Sequence, residues 1–163
     1  MRPNSRVRLA VVTLAAVVSL AACSGGSPLT ALKPYAASDG LHASVGEVRA
    51  LNLLVLTRGA GEPAALTGTI DNTGEASASV SITVAGEKFD VIVPAGGSVK
   101  LALGAGDTPI VLEDAPATPG LIAAVTIATG GTSLEVPVPV LDGTLPEYGE
   151  ILNDLDAVRA EGS

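Results

Sequence analysis

The chain contains no tryptophan, one phenylalanine, two tyrosines, one methionine, one cysteine and one histidine among 163 residues. Each scarcity removes a kind of chemistry. Tyr35, Phe89 and Tyr148 are too few to build the aromatic platforms on which single-stranded nucleic acids stack. Because Cys23 is the sole cysteine, no disulfide can close within the chain, and stability must come from a packed core. A single domain of this length can supply one, burying around two thirds of its unfolded surface. Basic residues are scarce as well: nine Lys and Arg stand against 17 Asp and Glu. Polyanionic partners such as nucleic acid call for clustered Lys and Arg, so this balance argues against them.

What is present begins with an export signal. Arg2, Arg6 and Arg8 precede an apolar run from Leu9 to Ala22 in which only Thr13 and Ser19 are polar. That is the charged and then apolar order of a secretory leader. As a helix the run rises about 21 Å, short of the roughly 30 Å hydrocarbon core, so a permanent span is not expected. The run closes on Leu20-Ala21-Ala22-Cys23, which resembles the bacterial lipobox. The resemblance implies cleavage before Cys23 and acylation of that cysteine, with palmitate-type chains holding the protein at the extracytoplasmic face of the cell membrane. Several acyl chains anchor stably where one does not. The alternative is an ordinary signal peptide that happens to leave a cysteine nearby. Removing residues 1–22 takes away three arginines and brings the net charge from −8 to about −11.

Residues 23–38 comprise the lipidated cysteine and a stretch rich in small residues, with Pro28 and Pro34, that reads as a tether. From Asp39 the pattern turns to a period of two, the mark of strands with one buried face. Leu41, Ala43 and Val45 alternate, and Arg49 to Leu56 supplies a more apolar strand. Ala64, Leu66 and Ile70 form the next apolar phase, followed by Ala78, Val80, Ile82 and Val84, then Phe89, Val91 and Val93, then Val99, Leu101 and Leu103. Two further runs are Leu121 to Ile127 and Leu134 to Val140. Asp71-Asn72-Thr73-Gly74-Glu75 is expected to form a hairpin, because Asp71, Asn72 and Gly74 tolerate positive φ. Pro137 and Pro139 cannot donate to a ladder, so the last strand is expected at a sheet edge or partly as polyproline II. The fold expected for residues 39–145 is all-β, an immunoglobulin-like antiparallel β-sandwich, although the cysteine pair and tryptophan of antibody domains are absent. In the acidic segment 146–163, Tyr148, Ile151, Leu152, Leu155 and Val158 fall near helical spacing. The open alternatives are a short amphipathic helix that folds back, the same helix docked on another protein, or a frayed tail.

The lipobox, the entry S-D-G-L-H-A-S-V-G-E-V-R-A-L-N-L-L-V-L, D-N-T-G-E, P-A-G-G-S-V and V-P-V-L-D-G-T-L-P-E-Y together resemble the actinobacterial LpqE-like lipoproteins. The resemblance implies an address and an architecture; the family carries no established activity and transfers no site residues. The architecture is also similar to that of periplasmic copper chaperones, which hold Cu(I) with methionine and histidine. Met1 leaves with the leader and only His42 supplies an imidazole, so that ligand set is not expected here.

Other chemistry is equally thin in the sequence. His42 and Ser44 fall on the polar phase of their strand, with no nucleophile motif around the serine. Glu113-Asp114 and Glu147 with Glu150 are candidate carboxylate pairs, more simply read as solvated charge. Asp71 to Glu75 lacks the alternating ligands of a calcium loop, and the clusters R-G-A-G-E, G-A-G-D and G-G-T lack the spacing of phosphate loops. The expectation is a membrane-anchored envelope module that binds a protein partner without catalysis, needs no cofactor or metal, and has Cys23 as its one assignable site. The alternative is an enzyme or ligand carrier with an unmarked site.

Overall fold

A computed structural model describes residues 39–161. Nine strands run in the order β1 (Leu41–Val45), β2 (Val48–Thr57), β3 (Ala64–Asn72), β4 (Ala78–Val84), β5 (Glu87–Val93), β6 (Ser98–Leu101), β7 (Val111–Leu112), β8 (Ile122–Thr129) and β9 (Thr132–Leu141). One helix, α1 (Pro146–Glu161), closes the described chain. The expected mostly-β domain with a C-terminal helix is what these residues adopt.

The strands follow one path, β5-β4-β8-β9-β2-β3-β6, with β1 also on β2 and β7 also on β3. Pairing is antiparallel except where β9 meets β2, at Val55 with Val140 and Leu56 with Leu141. That short parallel seam joins two sheets into one, and β5 and β6, the ends of the path, approach each other, so the sheet is nearly closed like a barrel. Its interior is filled by the alternating apolar phases read from the sequence: Leu66 and Ile70, Val80, Ile82 and Val84, Val125 and Ile127, Val138 and Val140 are all buried.

One irregularity sets up the rest of the molecule. Between Leu51 and Leu54, β2 carries one residue more than β3, and it carries one more than β1 over the same stretch. Such a bulge reverses the side-chain phase of the strand. Val48 and Ala50 point inward before it, Leu53 and Val55 after it, which leaves Leu54 and Leu56 on the outer face. These outer leucines, with Ala65, are buried by Leu152 and Leu155 of α1, which are 1% and 2% exposed. The C-terminal segment therefore folds back on its own sheet. Burying each leucine contributes about 1.5–3 kcal/mol, and packing of this kind supplies most of the stability of a helix in a folded protein. Exposed pairs flank this contact: Arg58 donates to Asn153 at 3.0 Å and Asp156 at 2.8 Å, and Arg159 to Glu113 at 2.7 Å.

One sequence expectation is corrected. Asp71 to Glu75 does not close a hairpin, because β3 and β4 are not paired; β3 lies beside β2, β6 and β7, and β4 beside β5 and β8. The segment crosses from one side of the barrel to the other, and neither Asp71 nor Asn72 takes a positive φ. Asn72 instead turns inward, 2% exposed, and acts as a strut. Its Nδ2 lies 2.8 Å from Ala76 O and 3.1 Å from Pro94 O, and its Oδ1 accepts from Gly74 N at 3.0 Å. A buried amide satisfied on both sides replaces the turn hydrogen bonds that a hairpin would have made. The edge position expected for the prolines of β9 holds: from Thr132 to Pro139 the strand is paired only with β8, and it meets β2 only at Val140 and Leu141. Val140 N donates to Leu121 O on the β8 side at 3.0 Å, so by alternation the nitrogens of Pro137 and Pro139 face away from β8. The pairing with β2 begins only at Val140, and the prolines occupy the stretch where no donor is needed.

Candidate functional site

The bulge in β2 also shapes a cleft of about 350 Å³ between α1 and the outer face of β2, β3 and β6. Its floor is Leu54, with Leu103 and Ile151 beside it, and Asn52, Thr67, Thr69, Lys100, Asp107, Tyr148 and Asp154 bring polar atoms to the lining. Asn52 stands at the bulge in the left-handed region, with φ 54°, a conformation asparagine tolerates better than most residues. Its Oδ1 accepts a hydrogen bond from Gly40 N at 3.0 Å, which ties the chain's entry into the domain to the cleft. Across from it, Gly68 has φ 145°. A Cβ there would lie 2.8 Å from Leu53 Cδ2 and 3.0 Å from Leu51 O, so only glycine lets β3 pass the bulge.

Two of the cleft's charged groups pair with each other, and its phenol is bonded to a carboxylate. Lys100 Nζ lies 3.2 Å from Asp107 Oδ2, and the turn that carries Asp107 is closed by its own N–H on Gly104 O. Tyr148 Oη donates to Asp39 Oδ2 at 2.8 Å. Desolvation first, then the hydrogen bond to Asp39 and the charges of Asp39 and Glu147, push the Tyr148 phenol up to about 12. It stays a neutral donor throughout the physiological range. With an apolar floor and a rim of amide, hydroxyl and ion-paired groups, the cleft can take a small amphipathic ligand or one side chain of a partner protein.

The residues singled out in the sequence lie elsewhere. His42 and Ser44 are exposed on β1. Glu113 is engaged by Arg159, and Glu147 and Glu150 are exposed near the start of α1. Asp71 accepts from Arg49 Nε at 2.9 Å and from its Nη2 as well, a surface pair rather than a calcium ligand. The glycine clusters form turns: Gly130 and Gly131, both at positive φ, close the β8–β9 hairpin. Cys23 lies outside the described residues. Among the described residues no three or more His, Cys, Asp or Glu come together to hold a metal ion, and no helix is long and apolar enough to cross a membrane. Of the cleft residues, Tyr148 and Ile151 had a signal in the sequence through the helical spacing, and Leu54 and Leu103 through the apolar runs that carry them. Asn52 within A-L-N-L-L-V-L and Gly68 within L-T-G-T-I are the missed signals: a polar residue and a glycine inside apolar strands mark a bulge and a close approach.

No protein-family model matches the chain, and no curated protein sequence does. Solved structures do. In fold it is similar to PCuAC domains. The apo PmoF2 PCuAC domain aligns at 16% identity over 64% of this chain and 98% of that one, with a TM-score of 0.50. A copper-bound PCuAC domain from PmoF2 aligns at 15% identity over 63% and 98%, with a TM-score of 0.49. At this identity the likeness is one of fold. The donors of a Cu(I) site do not accompany it: His42 is the only imidazole and Met1 the only thioether in the sequence, and His42 does not line the cleft.

Proposed function

We propose that the chain is an LpqE-like lipoprotein, held by acyl groups on Cys23 at the extracytoplasmic face of the membrane, whose immunoglobulin-like β domain binds an envelope protein without catalysis. The reading is carried by the state of the cleft: its lysine and one of its aspartates neutralise each other, and its tyrosine keeps its proton to about pH 12. Those groups can orient a bound partner, and the tyrosine holds its proton near neutrality. The lipobox supports the address, and the bond between Asp39 and Tyr148 supports a cleft set beside the first residues of the folded domain.

Two measurements test this. Cys23→Ala should abolish acyl labelling and release the protein from membranes; an unmodified N-terminus on the wild-type mature protein removes the lipoprotein reading. A photo-crosslinker at Thr69 should capture one envelope protein in intact membranes, and Lys100→Glu should abolish the capture without changing the circular dichroism spectrum. Capture that survives Lys100→Glu moves the interface away from the cleft. Hydrolysis of an envelope ester by the purified protein, abolished by a cleft substitution, replaces the binding module with an enzyme.

The second reading is a metal carrier, prompted by a neighbour described as copper-bound. The residues here do not fit a Cu(I) centre, and competition against a chromophoric chelator should show no tight stoichiometric binding. One tightly held Cu(I) per chain, lost in His42→Ala, would restore that reading.

A further inference from the structure

The two ends of the strand path are finished differently. At β6, Leu101 is bridged by Thr108, whose N–H donates to Lys100 O at 2.9 Å. At β5, only β4 is paired along the strand among the described residues. The turn Pro94–Gly97 brings the far end of β5 close to β6, which leaves Glu87 to Val91 as the open length. The hairpin that leads into it fixes which groups face outward. Ala85 and Gly86 both have positive φ, at 51° and 85°, and form a two-residue loop between Val84 and Glu87, whose backbones face each other. In such a hairpin the closing pair exchanges its hydrogen bonds, so Glu87, Phe89 and Val91 bond to β4 while the N–H and C=O of Lys88 and Asp90 point to the free edge.

We propose that this edge pairs with the same edge of a second copy, antiparallel, with Lys88 opposite Asp90 of the other molecule. Within that open length the free groups restrict pairing to registers that oppose positions 88 and 90. Centring the two-fold axis on Asp90 sets carboxylate against carboxylate, and centring it on Lys88 sets ammonium against ammonium; both destabilise the pair. Centring it on Phe89 sets Lys88 against Asp90 twice. That register also makes Phe89 opposite Phe89 a non-hydrogen-bonded pair, the geometry with the closest side chains. Phe89 is the only phenylalanine of the chain and is only half buried at this edge, although it sits on the core face. Its copy supplies the missing cover. Within one molecule Lys88 and Asp90 already lie 3.2 Å apart, each about 61% exposed, so the two charges sit on the same outer face and are free to exchange partners.

Sedimentation equilibrium of the full-length protein in nonionic detergent tests the pairing. The wild type is expected to show a reversible dimer, Lys88→Glu to raise its dissociation constant about tenfold, and Lys88→Glu combined with Asp90→Lys to return it to the wild-type value. The register is read separately by oxidation in membranes. Phe89→Cys is expected to give a covalent dimer, whereas Ile92→Cys and the wild type with Cys23 alone are not. A wild type that remains monomeric at all concentrations, a charge swap that fails to restore association, or equal crosslinking at positions 89 and 92 overturns the proposal.

Discussion

Neighbouring residues of β2 belong to two differently built regions. Leu53 and Val55 enter the barrel interior, where they meet side chains from both halves of the strand path; Leu54 and Leu56 enter a small outer cluster closed by two leucines of one helix. The interior is knitted by strands far apart in sequence, so it forms or fails as a unit. The outer cluster depends on a single element at the end of the described chain and can open with the barrel intact. The bulge at Asn52 separates the two regimes, and the cleft lies at the boundary.

The sharpest way to break this contrast is to empty each region in turn. Ile82→Ala, in the middle of the interior and fully buried, should cost about 2–5 kcal/mol. Denaturant unfolding should remain one transition with an earlier midpoint. Leu155→Ala should cost about 2 kcal/mol, at the low end of the same range, because α1 can shift to close the gap. Its signature is locality: by hydrogen exchange the amides of α1 should lose protection while those of β4 and β8 keep theirs. Simultaneous loss in α1 and β8 would mean that the two regions are one cooperative unit.

A smaller effect probes the boundary. Gly68→Ala forces a methyl against Leu53 and the carbonyl of Leu51 at a positive φ, and should cost about 1–3 kcal/mol. Because the strain falls on the bulge, crosslinking from the cleft should fall as well. A Gly68→Ala protein with wild-type stability would show that β3 can move away from β2 there.

Legibility in the sequence followed the same division. The interior was readable because a period of two needs only local alternation, and Val80, Ile82 and Val84 are buried as that alternation requires. The outer cluster was half readable. The spacing of Leu152 and Leu155 marked a helix face, but its acceptor was hidden, since Leu54 and Leu56 come out of phase only when the bulge is counted. Asn72 misled for a physical reason: the residue types that favour turns are also those able to satisfy backbone groups from a buried position, and local sequence does not separate the two uses. Lys100 and Asp107 carried no signal because the strand and the turn that bear them meet only in the fold.

The finest test of the contrast is the bond by which α1 reaches the entry of the domain, Tyr148 to Asp39. The phenol is raised above its ordinary value, to about 12, so the folded state holds this proton more tightly than the unfolded chain. Its contribution is fully present below pH 10 and is lost as the pH rises from about 10 to about 12. Tyr148→Phe removes the donor and leaves the ring, so the stability difference between the two proteins should be constant near neutrality and should shrink across that alkaline window. The ultraviolet difference titration of wild type minus Tyr148→Phe isolates this phenol from Tyr35 and should have its midpoint near 12. A midpoint near 10 would show that the bond to Asp39 is not kept in solution. In that case α1 rests on its buried leucines and on the Arg58 and Arg159 pairs, and the helix should lose exchange protection at neutral pH as readily in the wild type as in the phenylalanine variant.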